Sequence, residues 1–324
     1  MNRRDIVRAL LGLCAAPIVS FAQQPGKVWR IGMLETTSMT QNAANLNAFL
    51  KGLQELGYVE GRNFVIDYRS ADGRNERFPE LATELIRAKV DLVVTRGTPA
   101  TMAAKKATTT IPVITTATAD PLQFASSLAR PGGNVTGLTP INTELFGKRI
   151  QLLREIFPRL AHFAYLQNMG NASTVLGWKE LESAARSLGV QPQRLDVRKP
   201  EDLKPAFDLA VKQNVNALVV GQDGLIMANR KQVVELAARN QLPAIYQSRE
   251  YVDDGGLISY GVNYPDLYRR AAAYADKIFK GAKPGELPME QPTKLDLVIN
   301  LKTAKALGIA IPQTVLLRAD ELIQ

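Results

Sequence analysis

The chain is poor in the residues that most often carry catalysis. Its 324 residues include one cysteine, Cys14, and one histidine, His162. Cys14 lies in an N-terminal stretch that reads as removable, so the mature chain has neither a thiol nucleophile nor a disulfide, and its core alone must hold the fold. His162 opens an apolar run, a place where an imidazole is far more often structural than catalytic. The ligand clusters of metal sites are missing too. There is no G-x-S-x-G elbow, no GxxxxGK[ST] phosphate loop and no GxGxxG after the first strand. Aromatic residues are only 6% of the chain, and no basic run is flanked by stacking aromatics, so the net charge of +9 does not indicate a nucleic-acid partner. Lys and Arg are instead interleaved with Asp and Glu along helices. No enzyme, cofactor, metal or nucleic acid is expected.

The N-terminus carries an address. Asn2 to Arg8 is basic, Ala9 to Val19 is a short apolar run, and Ser20-Phe-Ala22 supplies small residues at the cleavage positions. This is the pattern of an export signal cleaved after Ala22, and its apolar part is too short to span a bilayer comfortably. The pair Arg3-Arg4 fits either the Sec or the twin-arginine route. Leu13 before Cys14 argues against lipidation. A periplasmic location is expected.

With 46% hydrophobic residues the chain can bury a sizeable core, and its length suggests two domains. Short apolar runs alternate with amphipathic stretches. Leu46, Phe49, Leu50 and Leu53 share one helical face, which Gly57 terminates. Phe64, Ile66 and Tyr68 alternate as on a half-buried strand. Such βαβα alternation implies parallel, doubly wound sheets. Three landmarks then recur in order. Leu92-Val-Val-Thr95 is matched by Leu218-Val-Val-Gly221, Ile111-Pro-Val-Ile-Thr115 by Leu242-Pro-Ala-Ile-Tyr246, and Gly132-Gly-Asn-Val-Thr-Gly137 by Gly255-Gly-Leu-Ile-Ser-Tyr260. We read this as two lobes built on one plan, with Pro131 to Asn142 as the joint. The long helix from Pro265 to Lys280 is expected to return to the first lobe. Lobe 1 is thus taken as 27–140 plus 264–290, and lobe 2 as 141–263 plus 291–324. The last 30 or so residues resist placement.

In open α/β sheets, ligands sit beyond the carboxyl ends of the strands. Here those ends carry Thr36, Thr37 and Ser38, then Gly97 and Thr98, Asp120, and in the second half Asn168, Asp223, Tyr246 and Tyr260. Hydroxyls and helix N-terminal amides near Thr98 suit an anion, Asp120 or Asp223 suits an ammonium, and tyrosines stack on rings. Singly, each also reads as ordinary loop or capping chemistry. Together they suit a polar solute held between two facing lobes.

The segments Gly52 to Asn63, Asp120-Pro121, Pro131 to Gly137, Gly255 to Gly261, Ala272 to Pro284 and Val298 to Gly308 resemble the ABC transporter substrate-binding family that includes tryptophan- and tyrosine-binding proteins. The resemblance implies a type I periplasmic-binding fold, with two Rossmann-like lobes, a hinge of crossing segments, and closure over a small-molecule solute. It also implies a monomer that delivers its solute to a membrane permease. Two other readings stand beside this one: an exported sensor feeding a receptor, and a periplasmic hydrolase using Asp223 or Glu250.

Overall fold

The computed structural model describes residues 27–140, 145–292 and 294–324. The expected export signal and part of the proposed joint, residues 141–144, lie outside the described residues. Two sheets organise the chain. The first takes β1 (Trp29–Glu35), β2 (Phe64–Ser70), β3 (Leu92–Arg96), β4 (Val113–Ala117) and β5 (Val135–Gly137), in the order β2-β1-β3-β4-β5, all parallel. The second is built from β6 (His162–Gln167), β7 (Gln191–Asp196), β8 (Ala217–Val220), β9 (Ala244–Tyr246) and β10 (Ile258–Val262), and repeats that order as β7-β6-β8-β9-β10. The three recurring landmarks fall on β3 and β8, β4 and β9, and β5 and β10. Both sheets therefore reverse their winding at the same point, between the first strand of the set and the third, where a crevice opens.

Sequence period fixes the layers. In the first sheet, Ile31 and Met33 face one side, with Leu92, Val94 and Ile114, while Leu34, Val93 and Val113 face the other. Two helices, α1 (Ala43–Glu55) and α2 (Phe78–Arg87), cover opposite faces, α1 through Leu46, Phe49 and Leu53, α2 through Phe78, Leu81 and Leu85. A further helix, α3 (Thr98–Ala107), lies beside α2. Fully burying a side chain such as Phe49 or Leu53 stabilises the fold by roughly 1.5–3 kcal/mol. The second sheet is sandwiched likewise. Helices α4 (Leu145–Ile156) and α5 (Ala172–Ser187) lie on one face, and α6 (Leu203–Lys212), the short α7 (Gly224–Ala228) and α8 (Arg230–Arg239) on the other. A five-residue helix, α9 (Arg249–Asp253), follows β9.

The chain passes between the sheets three times. After β10, helix α10 (Tyr264–Phe279) packs on α1, where Gly52 lets the two approach: a Cβ there would stand 2.8 Å from the Ala272 Cβ. The chain then returns through 288–294 to β11 (Leu295–Asn300), which runs antiparallel to β10. The stretch that sequence reasoning left unplaced forms helices α11 (Leu301–Ala306) and α12 (Gln313–Leu316) and the edge strand β12 (Glu321–Ile323), which pairs with β11. The crossings lean on one another. The Thr139 N–H donates to the Glu290 carbonyl at 3.0 Å, and the Glu290 N–H to the Gly137 carbonyl at 2.9 Å.

Most of the stretch from Pro131 to Asn142 thus belongs to the first lobe, since β5 is an edge strand of its sheet. Gly137 shows why that strand ends in glycine. Its φ is +126°, and a Cβ would meet the Thr115 carbonyl oxygen at 2.2 Å. Overpacking of this kind costs about 1–3 kcal/mol, so Gly137→Ala should lower the free energy of unfolding by about 2 kcal/mol in a denaturant titration.

Candidate functional site

The carboxyl ends of both sheets face each other across a cavity of about 350 Å³, enclosed by the two lobes. From the first lobe come Thr36, Arg96, Gly97, Thr98 and the rim residue Asp120; from the second come Phe146, Tyr165, Gln222, Asp223 and Gln247; Tyr264, at the start of α10, completes the wall. The volume suits a small organic molecule.

The lobes also touch each other directly. Arg96, the last residue of β3, reaches Glu250 on α9 at 3.0 Å, and the pair is almost wholly buried. Asn45 donates to the same Glu250 oxygen at 3.3 Å, and Gln41 donates to the Ala228 carbonyl at 3.1 Å. The Arg96 guanidinium lies over the Tyr264 ring, 4.0 Å from its centre. Burial opposes both charges, yet Arg96 is held above its ordinary value by Glu250, and Glu250 below its own by Arg96. On the lobe 1 side of Arg96, the fully buried carboxyl of Glu35 is pushed up by desolvation to about 7.

Asp223 is the buried acid of the cavity. It caps α7 by accepting the Leu225 N–H at 2.8 Å, and it also accepts from Asn171 at 2.9 Å and Asn168 at 3.3 Å. Burial still pushes its carboxyl above the ordinary range, although all these donors pull it down. An incoming cation would favour its charged form. Across the cavity, α3 begins at Gly97, which has φ +95° and supplies no side-chain cap. Gly97, Thr98 and Pro99 line the cavity; the Gly97 N–H donates to the Ala117 carbonyl at 2.8 Å and Pro99 has no N–H, so this helix start offers the cavity the Thr98 N–H and the positive end of the helix dipole. The Thr98 hydroxyl is already engaged, lying 3.1 Å from the Thr118 hydroxyl and accepting the Ala119 N–H at 3.1 Å, so it braces the turn. The cavity is therefore dipolar, with an acid on one wall and an uncapped helix start on the other.

Of the residues singled out from the sequence, Thr36, Gly97, Thr98, Asp120 and Asp223 lie on the cavity wall. The structure moves the other five away from it. Thr37 is buried, and its carbonyl accepts the Tyr68 hydroxyl at 2.8 Å. Ser38 lines a second, more open groove along the cleft mouth. Asn168 stands behind Asp223 and orients it. Tyr246 is the last residue of β9, and the alternation of that strand turns it into the core, where it stacks on Tyr251 at 4.8 Å; the next residue, Gln247, reaches the cavity in its place. Tyr260 is mid-strand, because β10 runs on to Val262, and its ring packs on the second core. Arg96, Phe146, Tyr165, Gln222, Gln247 and Tyr264 were not among the candidates. Only Arg96 left a signal in the sequence, as a charged residue closing the apolar run Leu92-Val-Val-Thr95. Among the described residues, no group of three or more His, Cys, Asp or Glu could hold a metal ion, and no helix is long and apolar enough to cross a membrane.

Comparison with known proteins gives this geometry a family. A curated relative, a tyrosine-binding protein from Clostridioides difficile strain R20291, is 27% identical over 263 residues, covering 81% of this chain and 75% of its own. The crystal structure of a conserved domain protein from Vibrio cholerae matches with a TM-score of 0.85 at 28% identity, over 91% of this chain and all of that one. The structure of an ABC domain in complex with L-Trp, from Streptococcus pneumonia, matches with a TM-score of 0.84 at 26% identity, over 92% of this chain and all of that one. Residues 31–323 match the family model described as ABC transporter substrate binding protein, so the chain belongs to that family of solute-binding proteins rather than to a family of enzymes.

Proposed function

We propose that this protein is the extracytoplasmic capture component of an ABC uptake transporter, and that it takes an α-amino acid into the cavity between its lobes. The observation that carries the reading is the dipolar cavity, with buried Asp223 facing the uncapped start of α3. An ammonium at Asp223 and a carboxylate at the Thr98 N–H, within the positive end of the α3 dipole, satisfy both poles with one small zwitterion. The apolar part of the wall, from Phe146, Tyr165 and Met227, suits an apolar side chain. The tyrosine-binding relative and the L-Trp complex both favour an aromatic one. Residues 1–22 then act as the export signal, and the protein works as a monomer in the periplasm.

Capture proceeds by closure about the three crossings. The solute touches both lobes, so its binding energy stabilises the closed form, and a membrane permease can distinguish that form from the open one. A thermal-shift screen over amino acids and aromatic acids tests the assignment, because a solute bound only by the folded state raises the melting temperature. Aromatic amino acids should raise it, and their des-amino analogues should do so weakly. Asp223→Asn keeps a capping side chain but removes the charge. It should weaken binding of the amino acid by about thirtyfold, the equivalent of about 2 kcal/mol for a hydrogen bond to a charged group. Equal binding to both proteins in calorimetry would remove the ammonium from the Asp223 wall.

A further inference from the structure

One corner of the cavity is built around a phenol whose hydroxyl no described residue holds. Tyr165 is 2% exposed, with its ring fixed between the edge of Phe146 at 5.8 Å and the face of Trp178 at 6.1 Å. It lines the cavity, and its hydroxyl has no hydrogen-bond partner among the described residues. A buried tyrosine hydroxyl ordinarily finds a partner. Two glycines keep the space around it open. A Cβ on Gly221 would stand 2.7 Å from the Tyr165 oxygen, and one on Gly177 would stand 3.9 Å from it and 3.3 Å from the Phe146 ring. Gly177 lies inside the 16-residue α5, where alanine would be the better helix former. It faces the cavity, so the missing side chain leaves room for a solute.

Arg149 stands behind this corner. It is buried, its Nε–H donates to the Tyr260 carbonyl at 2.8 Å, and its Nη2 has no partner. Its guanidinium lies 6.0 Å from the Phe146 ring centre. Its charge acts on Tyr165, and a cation favours the phenol lone pairs on its own side, which suits the O–H to serve the cavity as a donor.

We propose that Tyr165 reads the side chain of the solute, and that this side chain is a planar ring carrying a hydroxyl, seated in the space that Gly177 leaves. This rests on the amino-acid reading above and adds the discrimination between a hydroxylated ring and a plain one. Calorimetric titration of the protein with tyrosine, phenylalanine and alanine tests it, alongside Tyr165→Phe and Gly177→Val, with melting curves to establish that both variants fold. Wild type should bind tyrosine about tenfold more tightly than phenylalanine, the scale of one neutral hydrogen bond. Tyr165→Phe should erase that ratio and leave the affinity for phenylalanine within about threefold. Gly177→Val should weaken both aromatic solutes by at least about tenfold and spare alanine.

A ratio that survives in Tyr165→Phe overturns the proposal, as does a Gly177→Val variant that loses alanine together with the aromatics. Wild type that binds phenylalanine and tyrosine equally removes this inference and leaves the amino-acid reading standing. Wild type that binds no amino acid removes both.

Discussion

Glu250→Gln is expected to weaken solute capture by about two to three decades and to leave the lobes apart in solution at solute concentrations that close the wild type. The reason lies in what each state does with Arg96. In the closed arrangement Arg96 is buried against Glu250 at 3.0 Å and over the Tyr264 ring. With the lobes apart, water can reach both charges. Removing the carboxylate leaves the open form almost untouched but obliges the closed form to bury an unpaired guanidinium, which costs about 3–5 kcal/mol. Asn45 and Asn42 cannot offset this. Asn42 meets Arg96 only at 3.4 Å, and both are neutral.

The effect should therefore appear as a shift in the closure equilibrium rather than in stability. Small-angle scattering would show reduced compaction on adding solute, while the melting temperature of the solute-free protein stays close to that of wild type. The double variant Arg96→Met/Glu250→Met should recover much of the loss, because a well-packed apolar pair carries no unpaired charge. If the double variant is as weak as Glu250→Gln, Arg96 contributes to binding through the solute and not through its partner across the cleft.

How much of this was legible beforehand depends on the kind of information each part needs. The doubled α/β plan is written in runs such as Leu92-Val-Val-Thr95 and Leu218-Val-Val-Gly221, since strands covered on both faces must be apolar throughout. The return of α10 to the first lobe was anticipated, but not its packing on α1 across Gly52, which depends on a close approach of two backbones. The end of the chain was not: β12 is three residues long, with no residue fully buried, and its place is set by pairing with β11. In the site, reading strand ends found Thr36, Gly97, Thr98 and Asp223, where the backbone itself delivers the residue to the crevice. It missed where alternation decides. A shift of one residue sends Tyr246 into the core and Gln247 to the cavity, and a strand end misplaced by two residues made Tyr260 look terminal. Phe146 shares a helix face with Ile150 and Leu153, and periodicity cannot tell the part of such a face that meets the core from the part that meets a cavity. Tyr165 falls within a strand, and its place at the cavity depends on tertiary contacts, with Gly221 making room for its hydroxyl and Gly177 on the cavity wall beside it.

Raising the pH from about 4.5 to above about 7 should remove about 3 kcal/mol of folding stability from the wild type that the Glu35→Gln variant does not lose. Glu35 ends β1 with no exposure to solvent, and both its oxygens lie 2.8 Å from the Tyr268 hydroxyl. Desolvation raises its carboxyl from 4.5 to about 7, against the opposing pull of Arg96 and of the Tyr268 hydrogen bond. Arg96 stays nearer its partner Glu250. A carboxyl with a raised folded-state value is favoured in its neutral form, so its stabilising contribution is complete below the unfolded value and is lost as pH climbs through the folded one. Other groups titrate over the same range, so the quantity to measure is the difference in unfolding free energy between wild type and Glu35→Gln at a series of pH values. That difference should stay flat below about 4.5, then move against the wild type and level off above about 7. Curves that run parallel across the whole range would mean that Glu35 stays ionised in the fold, sharing Arg96 with Glu250, and the latch between the lobes would then be a triad of one guanidinium and two carboxylates.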